Sequence, residues 1–394
     1  MDFRMTREFD VIVLGLGGIG SAAAYWSAKR GARVLGLEQF EADHVRGSSH
    51  DHSRIIRYSY FSPAYVRLAK HAYTAWESLE RDAGEQLVFK TGGLDIRPRD
   101  GAIPLEPYAE AMRSCGVPFE TLEAEEIKKR WPAWQIDDSV HGLFQPDGGI
   151  VAAQRATAAH QRMAREFGAT LRDHTEVTAI RASDGTVDVE AGGQRYRAAS
   201  LIVAAGAWSA RALAQFGVRI PLEVTKEQVI YFDALDLASF AFGAFPIWIW
   251  MDDPAYYGFP VFGIERAVKI TQDAGGKPVH ADTRGFEEDP EITARVVAFL
   301  EKYLPGALGP LHLVKTCLYT LPPDRDFVID MLPEHPNVSL AIGAGHAFKF
   351  ACVIGRILSD FARTGAAQDS VDLSSFKITR AILQMENPPK TYMV

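Results

Sequence analysis

Residues 10–38 read DVIVLGLGGIGSAAAYWSAKRGARVLGLE. The apolar run 11–14 predicts a buried strand, and the six residues after it match the pattern GxGxxG. The alanine-rich segment 21–30 predicts a helix that ends at Gly31, because glycine readily takes the left-handed conformation found at helix ends. A second strand is predicted over Arg33–Leu37. The stretch therefore indicates strand, glycine-rich turn, helix and strand in close succession.

This arrangement is typical of a dinucleotide site. Gly15 permits the tight turn, Gly17 lets the backbone approach a pyrophosphate, and Gly20 brings the helix close to the strand. The helix N-terminus offers unpaired N–H groups and a partial positive charge to phosphates. Glu38 follows the second strand at the distance expected of an acid that accepts the adenosine ribose hydroxyls. The motif predicts a dinucleotide but does not distinguish NAD from FAD.

Composition narrows the class of protein. The chain has 394 residues, which favours two domains, and a formal net charge of -8. No block of basic residues indicates a nucleic-acid partner, and no long uncharged apolar run predicts a membrane span. The three cysteines, Cys115, Cys317 and Cys352, lie far apart and have no partner at metal spacing, so we expect no metal site and a cytoplasmic location.

The predicted alternation of strands and helices is interrupted at two places along the chain. We predict an FAD-binding domain in three pieces, 1–85, 150–222 and 312–394, and a substrate domain in two, 86–149 and 223–311. An NAD-type domain is usually contiguous, so the interleaving favours FAD. The predicted fold class is α/β (α+β): a split Rossmann-like FAD-binding domain interleaved with an antiparallel-sheet substrate domain, which supplies the second wall of a closed pocket.

The segment RGSSHDHSRIIR, residues 46–57, follows soon after the ribose-binding acid. A plain surface loop is one interpretation of so polar a stretch. The apolar pair Ile55-Ile56 between two arginines instead indicates a packed segment. Buried arginines need anionic or polar partners, so this segment is a candidate for the site.

Several further motifs together resemble the monomeric sarcosine oxidase and N-methyltryptophan oxidase family, within the D-amino-acid-oxidase-like flavoenzymes. The likeness covers nearly the whole chain. It is carried, besides the glycine motif, by GSSHDHSRIIR (47–57), Trp131-Pro132, AAGAW (204–208), YYGFP (256–260), CLYT (317–320), DFVID (326–330) with LPEHPN (332–337), and GAGHAFKF (343–350).

The resemblance implies FAD, joined covalently to Cys317 through its 8-methyl group. It places His50 and Arg54 beside the isoalloxazine, where Arg54 offsets the charge of the reduced ring. The last helix, opening near Gly345, directs its N–H groups to the pyrimidine edge of the flavin. The full set of expected cofactor-binding residues is Gly15, Gly17, Gly18, Ile19, Gly20, Glu38, Ser48, Arg54, Val177, Ala205, Gly206, Trp208, Cys317, Gly345, His346, Phe348 and Lys349.

The resemblance also implies a substrate pocket. Arg57 and Lys349 match the pair that holds the substrate carboxylate, an arrangement that orients a small acid. Tyr257 and Tyr319 match aromatic walls. Lys269 matches a lysine that contacts flavin through water and activates oxygen, where a cation stabilises developing negative charge. We therefore expect a monomeric oxidase of a small amino acid that makes an imine and then hydrogen peroxide, with His50, Arg54 and Lys269 as its catalytic residues.

The chain departs from the family pattern in ways that bear on substrate. Asp273 stands where sarcosine oxidases usually have histidine, and Ser49-His50-Asp51-His52 replaces their HHGD. We expect Asp273 and His52 to change the charge of the pocket and favour a larger, more basic or cyclic amino acid over sarcosine. Two alternatives stay open: a dehydrogenase of the same fold with another electron acceptor, and a flavin-binding protein without turnover.

Overall fold

The computed structural model describes residues 7–183, 185–368 and 371–391. Its strands are β1 (Arg7–Leu14), β2 (Val34–Leu37), β3 (Arg54–Ile56), β4 (Val88–Lys90), β5 (Gly93–Arg97), β6 (Glu120–Glu123), β7 (His141–Gln145), β8 (Gly149–Val151), β9 (Thr170–Arg172), β10 (Val177–Ser183), β11 (Thr186–Ala191), β12 (Gln194–Val203), β13 (Glu223–Asp233), β14 (Ile247–Trp250), β15 (Tyr256–Phe259), β16 (Ala267–Gln272), β17 (Lys277–Pro278), β18 (Leu311–Leu321), β19 (Val328–Leu332) and β20 (His335–Ile342).

The helices alternate with these strands. They are α1 (Gly18–Lys29), α2 (Pro63–Ala83), α3 (Glu106–Ser114), α4 (Ala124–Arg130), α5 (Ala153–Glu166), α6 (Ser209–Ala214), α7 (Pro290–Tyr303) and α8 (Ala351–Thr364), with short 3-10 turns at Gly206–Trp208, Pro305–Ala307, Ala347–Phe350, Ser374–Phe376 and Ala381–Gln384. Within the described part of the chain, no helix is both long and apolar enough to cross a membrane.

The N-terminal unit forms as its sequence predicts. β1 is buried at Ile12 and Val13, and it pairs in parallel with β2. Gly15 has φ of +89°, a conformation that other residues rarely adopt, and it turns the chain into α1. A Cβ atom on Gly20 would overlap the carbonyl oxygen of Gly15, so only glycine lets the helix lie this close to the strand. Gly31, with φ of +86°, follows the helix end.

The first sheet has a parallel centre. Strands β9, β2, β1, β12 and β20 lie side by side in parallel, and β19 adds an antiparallel edge. The hairpin β10–β11 pairs with the N-terminal half of β12. Helices α1, α5 and α8 pack together, and α2 covers α8. This mixed architecture of parallel and antiparallel sheets confirms the predicted fold class.

The second sheet is antiparallel except for one pair. Its order is β17, β13, β16, β15, β14, β5, β7 and β6, with β18 along the other edge of β13 and a parallel pair between β14 and β5. A separate core of aromatic and aliphatic side chains lies against it, including Trp134, Trp248 and Phe299. A third, small sheet joins β3, β8 and β4, and buries Ile55 and Ile56 as predicted.

Several elements differ from the sequence predictions. The last helix was expected to open near Gly345, but a 3-10 turn spans Ala347–Phe350 and α8 starts at Ala351. Helices α3, α4 and α7 lie in the segments predicted as the antiparallel-sheet domain. α4 and α7 pack against that sheet, whereas α3 packs against α2 and contributes to the core of the first unit. β18 pairs with β13, so the residues after 311 begin in the antiparallel sheet and not in the first sheet. The division into domains stays a prediction.

The contact between α1 and α8 gives a test of packing. A Cβ atom on Gly355 would lie 2.5 Å from the Cβ atom of Ala22 and 2.6 Å from backbone atoms of Ala22 and Ala23. Alanine ordinarily stabilises a helix interior by about 1 kcal/mol over glycine. We predict that Gly355→Ala instead lowers the free energy of unfolding by about 1–3 kcal/mol, because overpacking outweighs propensity.

The measurement is urea unfolding followed by circular dichroism. Gly47→Ala is the matched control, since the nearest atom to its new Cβ lies 3.7 Å away. The control should change stability by less than about 0.5 kcal/mol. A Gly355→Ala protein as stable as the parent would contradict the tight helix contact.

Candidate active site

A cavity of about 560 Å³ lies between the two large sheets. On one side it is lined by residues at the carboxyl ends of the parallel strands β1, β2, β12 and β20, which is where ligands bind in sheets of this type. On the other side it is lined by residues of β13, β14, β15 and β18. The cavity therefore lies where the glycine-rich turn faces the antiparallel sheet.

Nearly all of the predicted site residues line this cavity. They are Gly15, Gly17, Gly18, Ile19, Glu38, Ser48, His50, Arg54, Arg57, Val177, Ala205, Gly206, Trp208, Tyr257, Asp273, Cys317, Tyr319, Gly345, His346, Phe348 and Lys349. Gly20 and Lys269 are not among the lining residues. Gly20 instead makes the close contact between helix and strand, and Lys269 lies behind the wall.

Glu38 is held as an acceptor beside the glycine-rich turn. Its carboxylate accepts the backbone N–H groups of Leu16 at 2.9 Å and Phe40 at 3.2 Å. Burial raises the pKa of Glu38, but the hydrogen bonds from His44 and these N–H groups outweigh it and leave the pKa below its ordinary value. At neutral pH the residue is therefore an ionised carboxylate, as a ribose-binding acid must be.

Arg54 is fixed by a set of backbone and side-chain acceptors. Its guanidinium donates to the carbonyl oxygens of Ser48, His50 and Ser53 at 2.7 to 3.0 Å. Cys317 lines the cavity near it: burial raises the pKa of the Cys317 thiol to about 11, and Arg54 acts against that rise. Such a cation is the kind of neighbour that favours a thiolate.

His50 presents unpaired nitrogen atoms. Both ring nitrogens are buried and have no hydrogen-bond partner among the described residues. Burial and, to a lesser degree, the charge of Arg54 lower the pKa of His50 to about 3. The ring is therefore neutral, and it has one donor and one acceptor to offer to a ligand in the cavity.

Arg57 and Lys349 are brought together beside one aromatic ring. The guanidinium carbon of Arg57 lies 5.0 Å from the ring centre of Tyr60, and Nζ of Lys349 lies 5.8 Å from the same centre. Arg57 donates one hydrogen bond of 2.8 Å to Asp95, which also accepts from Ser59, and its Nε atom is unpaired among the described residues. Two cations from distant parts of the chain therefore converge on one region of the cavity.

Lys349 is the less compensated of the two cations. Among the described residues, its ammonium group has no hydrogen-bond or ion-pair partner of its own. Burial and, to a lesser degree, the charge of Arg57 lower the pKa of Lys349 to about 7, and Asp273 acts against that fall. Lys349 can therefore gain a favourable partner if a small anion enters the cavity.

The carboxylate of Asp273 is already engaged. It accepts a hydrogen bond of 3.2 Å from Arg325, which is buried, and one of 3.4 Å from the hydroxyl of Tyr319. Its effect on the pocket is therefore smaller than the sequence alone indicated, because Arg325 supplies a counter-charge. His52 does not line the cavity, and its ring lies 3.3 Å from the ammonium group of Lys315. That His52 changes the charge of the pocket stays a prediction.

Lys269 points toward a carboxylate behind the cavity wall. Its ammonium donates to Asp51 at 2.6 Å and to the carbonyl oxygen of Ser53 at 2.8 Å. The Phe259 ring, which does line the cavity, lies 4.8 Å from Nζ. Burial lowers the pKa of Lys269 to about 8, and Asp51 opposes that fall.

The cavity fits FAD on the evidence of its own side chains. The glycine-rich turn leaves room for a pyrophosphate, Glu38 offers a carboxylate to a ribose, and the neutral His50 ring has nitrogens without partners. Apolar and aromatic side chains, among them Ile249, Tyr257 and Phe259, line the same cavity and can pack against a planar ring.

Comparison with known proteins agrees with this geometry. Residues 10–361 match the model of the family described as DAO, FAD dependent oxidoreductase. The chain is 34% identical over 388 residues to a monomeric sarcosine oxidase of Bacillus sp. strain NS-129, covering 97% of this chain and 99% of that protein. It is 33% identical over 380 residues to N-methyl-L-tryptophan oxidase of Escherichia coli, covering 95% and 99%.

A solved structure extends the likeness. NikD, described as an unusual amino acid oxidase essential for nikkomycin biosynthesis, superposes with a TM-score of 0.84 at 25% identity and 99% coverage of both chains. The protein belongs to the FAD-dependent oxidoreductase family. Within that family it is a sarcosine oxidase-like, flavin-dependent amine oxidase, which confirms the predicted family and class of enzyme.

Sequence reasoning missed the charged partners of three predicted site residues. Asp95 pairs with Arg57, Asp51 with Lys269, and Arg325 with Asp273. A usable signal existed for Asp95 alone, since it is an acid inside the apolar strand GGLDIR and an isolated buried carboxylate needs a partner.

The pKa of Lys349 predicts how the affinity for a small carboxylate depends on pH. The ammonium is present below about pH 7 and is lost as the pH rises through that value. We predict that the affinity of the flavin-loaded protein for acetate weakens up to about tenfold per pH unit above this point, because the charged form is needed for pairing. The change in the visible flavin spectrum on titration with acetate measures it.

Lys349→Met should bind acetate weakly and without this pH dependence. Lys90→Met is the control, since Lys90 is a surface residue paired with Asp147, and it should retain the profile of the parent. An identical profile in Lys349→Met and the parent would contradict the role of Lys349.

Proposed function

We propose that the protein oxidises a small secondary amino acid, N-methylated or cyclic, with FAD as its cofactor and oxygen as the electron acceptor. The observation that carries this proposal is the convergence of Arg57 and Lys349 on the ring of Tyr60. A guanidinium and an ammonium in one apolar cavity bind a carboxylate and fix the orientation of the carbon next to it.

The proposed substrate has its carboxylate on Arg57 and Lys349 and its amine toward the cofactor. Tyr257 and Tyr319 form walls around it, and Asp273 lies within hydrogen-bond distance of Tyr319. The relatives support an amino acid, because their names specify sarcosine and N-methyltryptophan. The pairing of Asp273 with Arg325 favours a substrate without a second positive charge.

The reaction requires the free base of the amine, since only that form has a lone pair to assist departure of hydride from the adjacent carbon. FAD, when bound, supplies the hydride acceptor and passes the electrons on to oxygen. The product is an imine, which water hydrolyses, and oxygen gains two electrons and two protons to give hydrogen peroxide. In this proposal the side chains orient the substrate and supply charge, and none acts as a strong base.

We propose that the cofactor is held by the glycine-rich turn, Glu38, His50, Arg54 and the turn after β20, with a thioether to Cys317. Support for the thioether comes from the place of Cys317 in the cavity wall and from the nearby Arg54. Lys269 would act on oxygen through its charge from behind the wall. We further propose the three-piece and two-piece domain division given above, a monomer, and a cytoplasmic location, since all three cysteines are free.

A second function is favoured by one observation. Lys269 is ion-paired with Asp51 and does not line the cavity, which reduces its effect on oxygen. A dehydrogenase that passes electrons to another acceptor would tolerate such a pairing. Assay of hydrogen peroxide during turnover in air distinguishes the two functions.

Anaerobic mixing with a panel of N-methyl and cyclic amino acids tests the proposal. We predict that at least one secondary amino acid bleaches the visible flavin band. Arg57→Met should slow bleaching at least tenfold, because the charge-assisted hydrogen bonds from the guanidinium to the substrate carboxylate are lost. Arg113→Met is the control, since Arg113 is an exposed helix residue paired with Glu110, and it should bleach as fast as the parent. Failure of every secondary amine to bleach the band would count against the proposal.

Acid precipitation tests the link to Cys317. We predict that the yellow colour stays with the protein pellet of the parent and passes to the supernatant for Cys317→Ser, because a thioether survives acid and non-covalent contacts do not. Cys352→Ser is the control, since Cys352 is buried between helices and does not line the cavity. Colour in the supernatant of the parent would show that the flavin is held without a covalent bond.

A further inference from the structure

Asp51 is the centre of a buried cluster of charges that the proposed reaction does not explain. Its carboxylate accepts from Lys269 at 2.6 Å, from the hydroxyl of Tyr231 at 2.7 Å and from Lys315 at 3.2 Å. Arg54, which lines the cavity, adds a contact of 3.3 Å. One carboxylate therefore joins a cavity residue, a buried lysine and a lysine nearer the surface.

The backbone at Asp51 is strained. Its φ is +89°, in the left-handed region that costs a residue with a side chain on the order of 1 kcal/mol or more. The residue occupies the place of the glycine in the HHGD motif of the sarcosine oxidases. Such strain persists only where surrounding contacts fix the conformation, and here the contacts of the carboxylate supply that restraint.

We propose that Asp51 is a positioning residue that fixes the Lys269 side chain behind the cavity wall and keeps it as an ammonium ion. This inference rests on the proposed function only where it concerns oxygen. The contacts of Asp51 themselves are independent of any substrate.

The surroundings of Lys269 show why an anion is needed there. The side chain is 2% exposed and packs beside the ring of Phe259. Removal from water favours the neutral amine, and nearby cations favour it as well. Asp51 and its hydrogen bond oppose both effects, and they hold the pKa of Lys269 at about 8 in spite of its burial.

The charged and titratable groups around Lys269 come from several elements. Arg54 and the two histidines of the 46–54 loop, Tyr231 of β13, and Lys315 and Cys317 of β18 surround the pair formed with Asp51. Burial raises the pKa of Asp51, but Lys269 and Arg54 outweigh this and leave it well below its ordinary value. The carboxylate is therefore charged across the range in which Lys269 titrates.

The direct test is the titration of Lys269 in the flavin-loaded protein. Lysine labelled with ¹³C at Cε gives one signal per residue, and Lys269→Gln assigns the signal of interest by its disappearance. We expect the midpoint of Lys269 in Asp51→Asn to fall by about one pH unit or more, since a close opposite charge shifts a pKa by 1–3 units. Asparagine tolerates the left-handed conformation, so this variant changes mainly the charge.

Two further variants control the interpretation. Asp51→Gly removes the carboxylate and relieves the backbone strain, and it should lower the midpoint in the same direction. Lys315→Gln removes a like charge from the same cluster, so the midpoint of Lys269 should stay or rise. An unchanged midpoint in both Asp51 variants, or a fall in Lys315→Gln equal to theirs, overturns the inference.

The rate at which oxygen reoxidises the reduced flavin tests whether the cluster affects catalysis, and this measurement needs no amino acid substrate. The flavin is reduced with light and EDTA, mixed with oxygen and followed by its visible band. We expect reoxidation in the parent to slow as the pH rises through about 8, where the ammonium is lost, and to slow at a lower pH in Asp51→Asn. Identical pH profiles would overturn a role in the oxygen step.

Bleaching by amines and the titration of Lys269 can fail independently, so together they distinguish this inference from the proposed function. If no amine bleaches the flavin but the Lys269 midpoint falls in Asp51→Asn, the proposed amine oxidation fails and the role of Asp51 stands. If amines bleach the flavin but the midpoint is unchanged, the reverse holds.

Discussion

The whole site depends on burying positive charge beside an apolar cavity. A buried cation is stable only with an anionic or polar partner, and removing that partner is strongly destabilising. Arg57 has Asp95 and Lys269 has Asp51, both as buried pairs. Lys349 is different, because among the described residues it has no carboxylate in contact. The uncompensated charge therefore lies in the cavity wall, where the substrate carboxylate of the proposed reaction would supply the missing partner.

The glycine-rich turn and its surroundings could be predicted from the sequence because their signals are local. Strand, turn, helix and acid follow one another within thirty residues, and each has a residue pattern of its own. The convergence of Arg57 and Lys349 was expected from the family resemblance, and the structure places both beside Tyr60. Spacing along the chain could not have supplied that information, since Arg57 and Lys349 are far apart in the sequence.

The parts that could not be predicted depend on contacts between distant strands. Asp95 belongs to β5 and reaches Arg57 across the boundary between sheets, and Arg325 reaches Asp273 from a turn after β18. The acid inside the apolar strand at Asp95 indicates that a partner is needed, but no local pattern identifies Arg57 as that partner or marks the pair of Arg325 and Asp273. Lys269 was expected beside the flavin, and that role stays a prediction. In β16 it is paired directly with Phe259, so the two side chains lie on the same face of the sheet. Phe259 lines the cavity, whereas the ammonium group of Lys269 donates to Asp51, an acid from a distant loop that no pattern in the sequence marks as its partner.

The charges of the cavity also reconcile two opposite demands on protonation. In the proposed reaction, the carboxylate of the substrate binds best to a charged Lys349, whose pKa is lowered to about 7 mainly by burial. The amine must be neutral, although an aliphatic amine in water has a pKa of about 10. Binding resolves the conflict, because the incoming carboxylate raises the pKa of Lys349, while Arg57 and Lys349 together disfavour a further positive charge on the amine. In the proposed reaction, the same two cations that hold the acid therefore help the nitrogen to lose its proton.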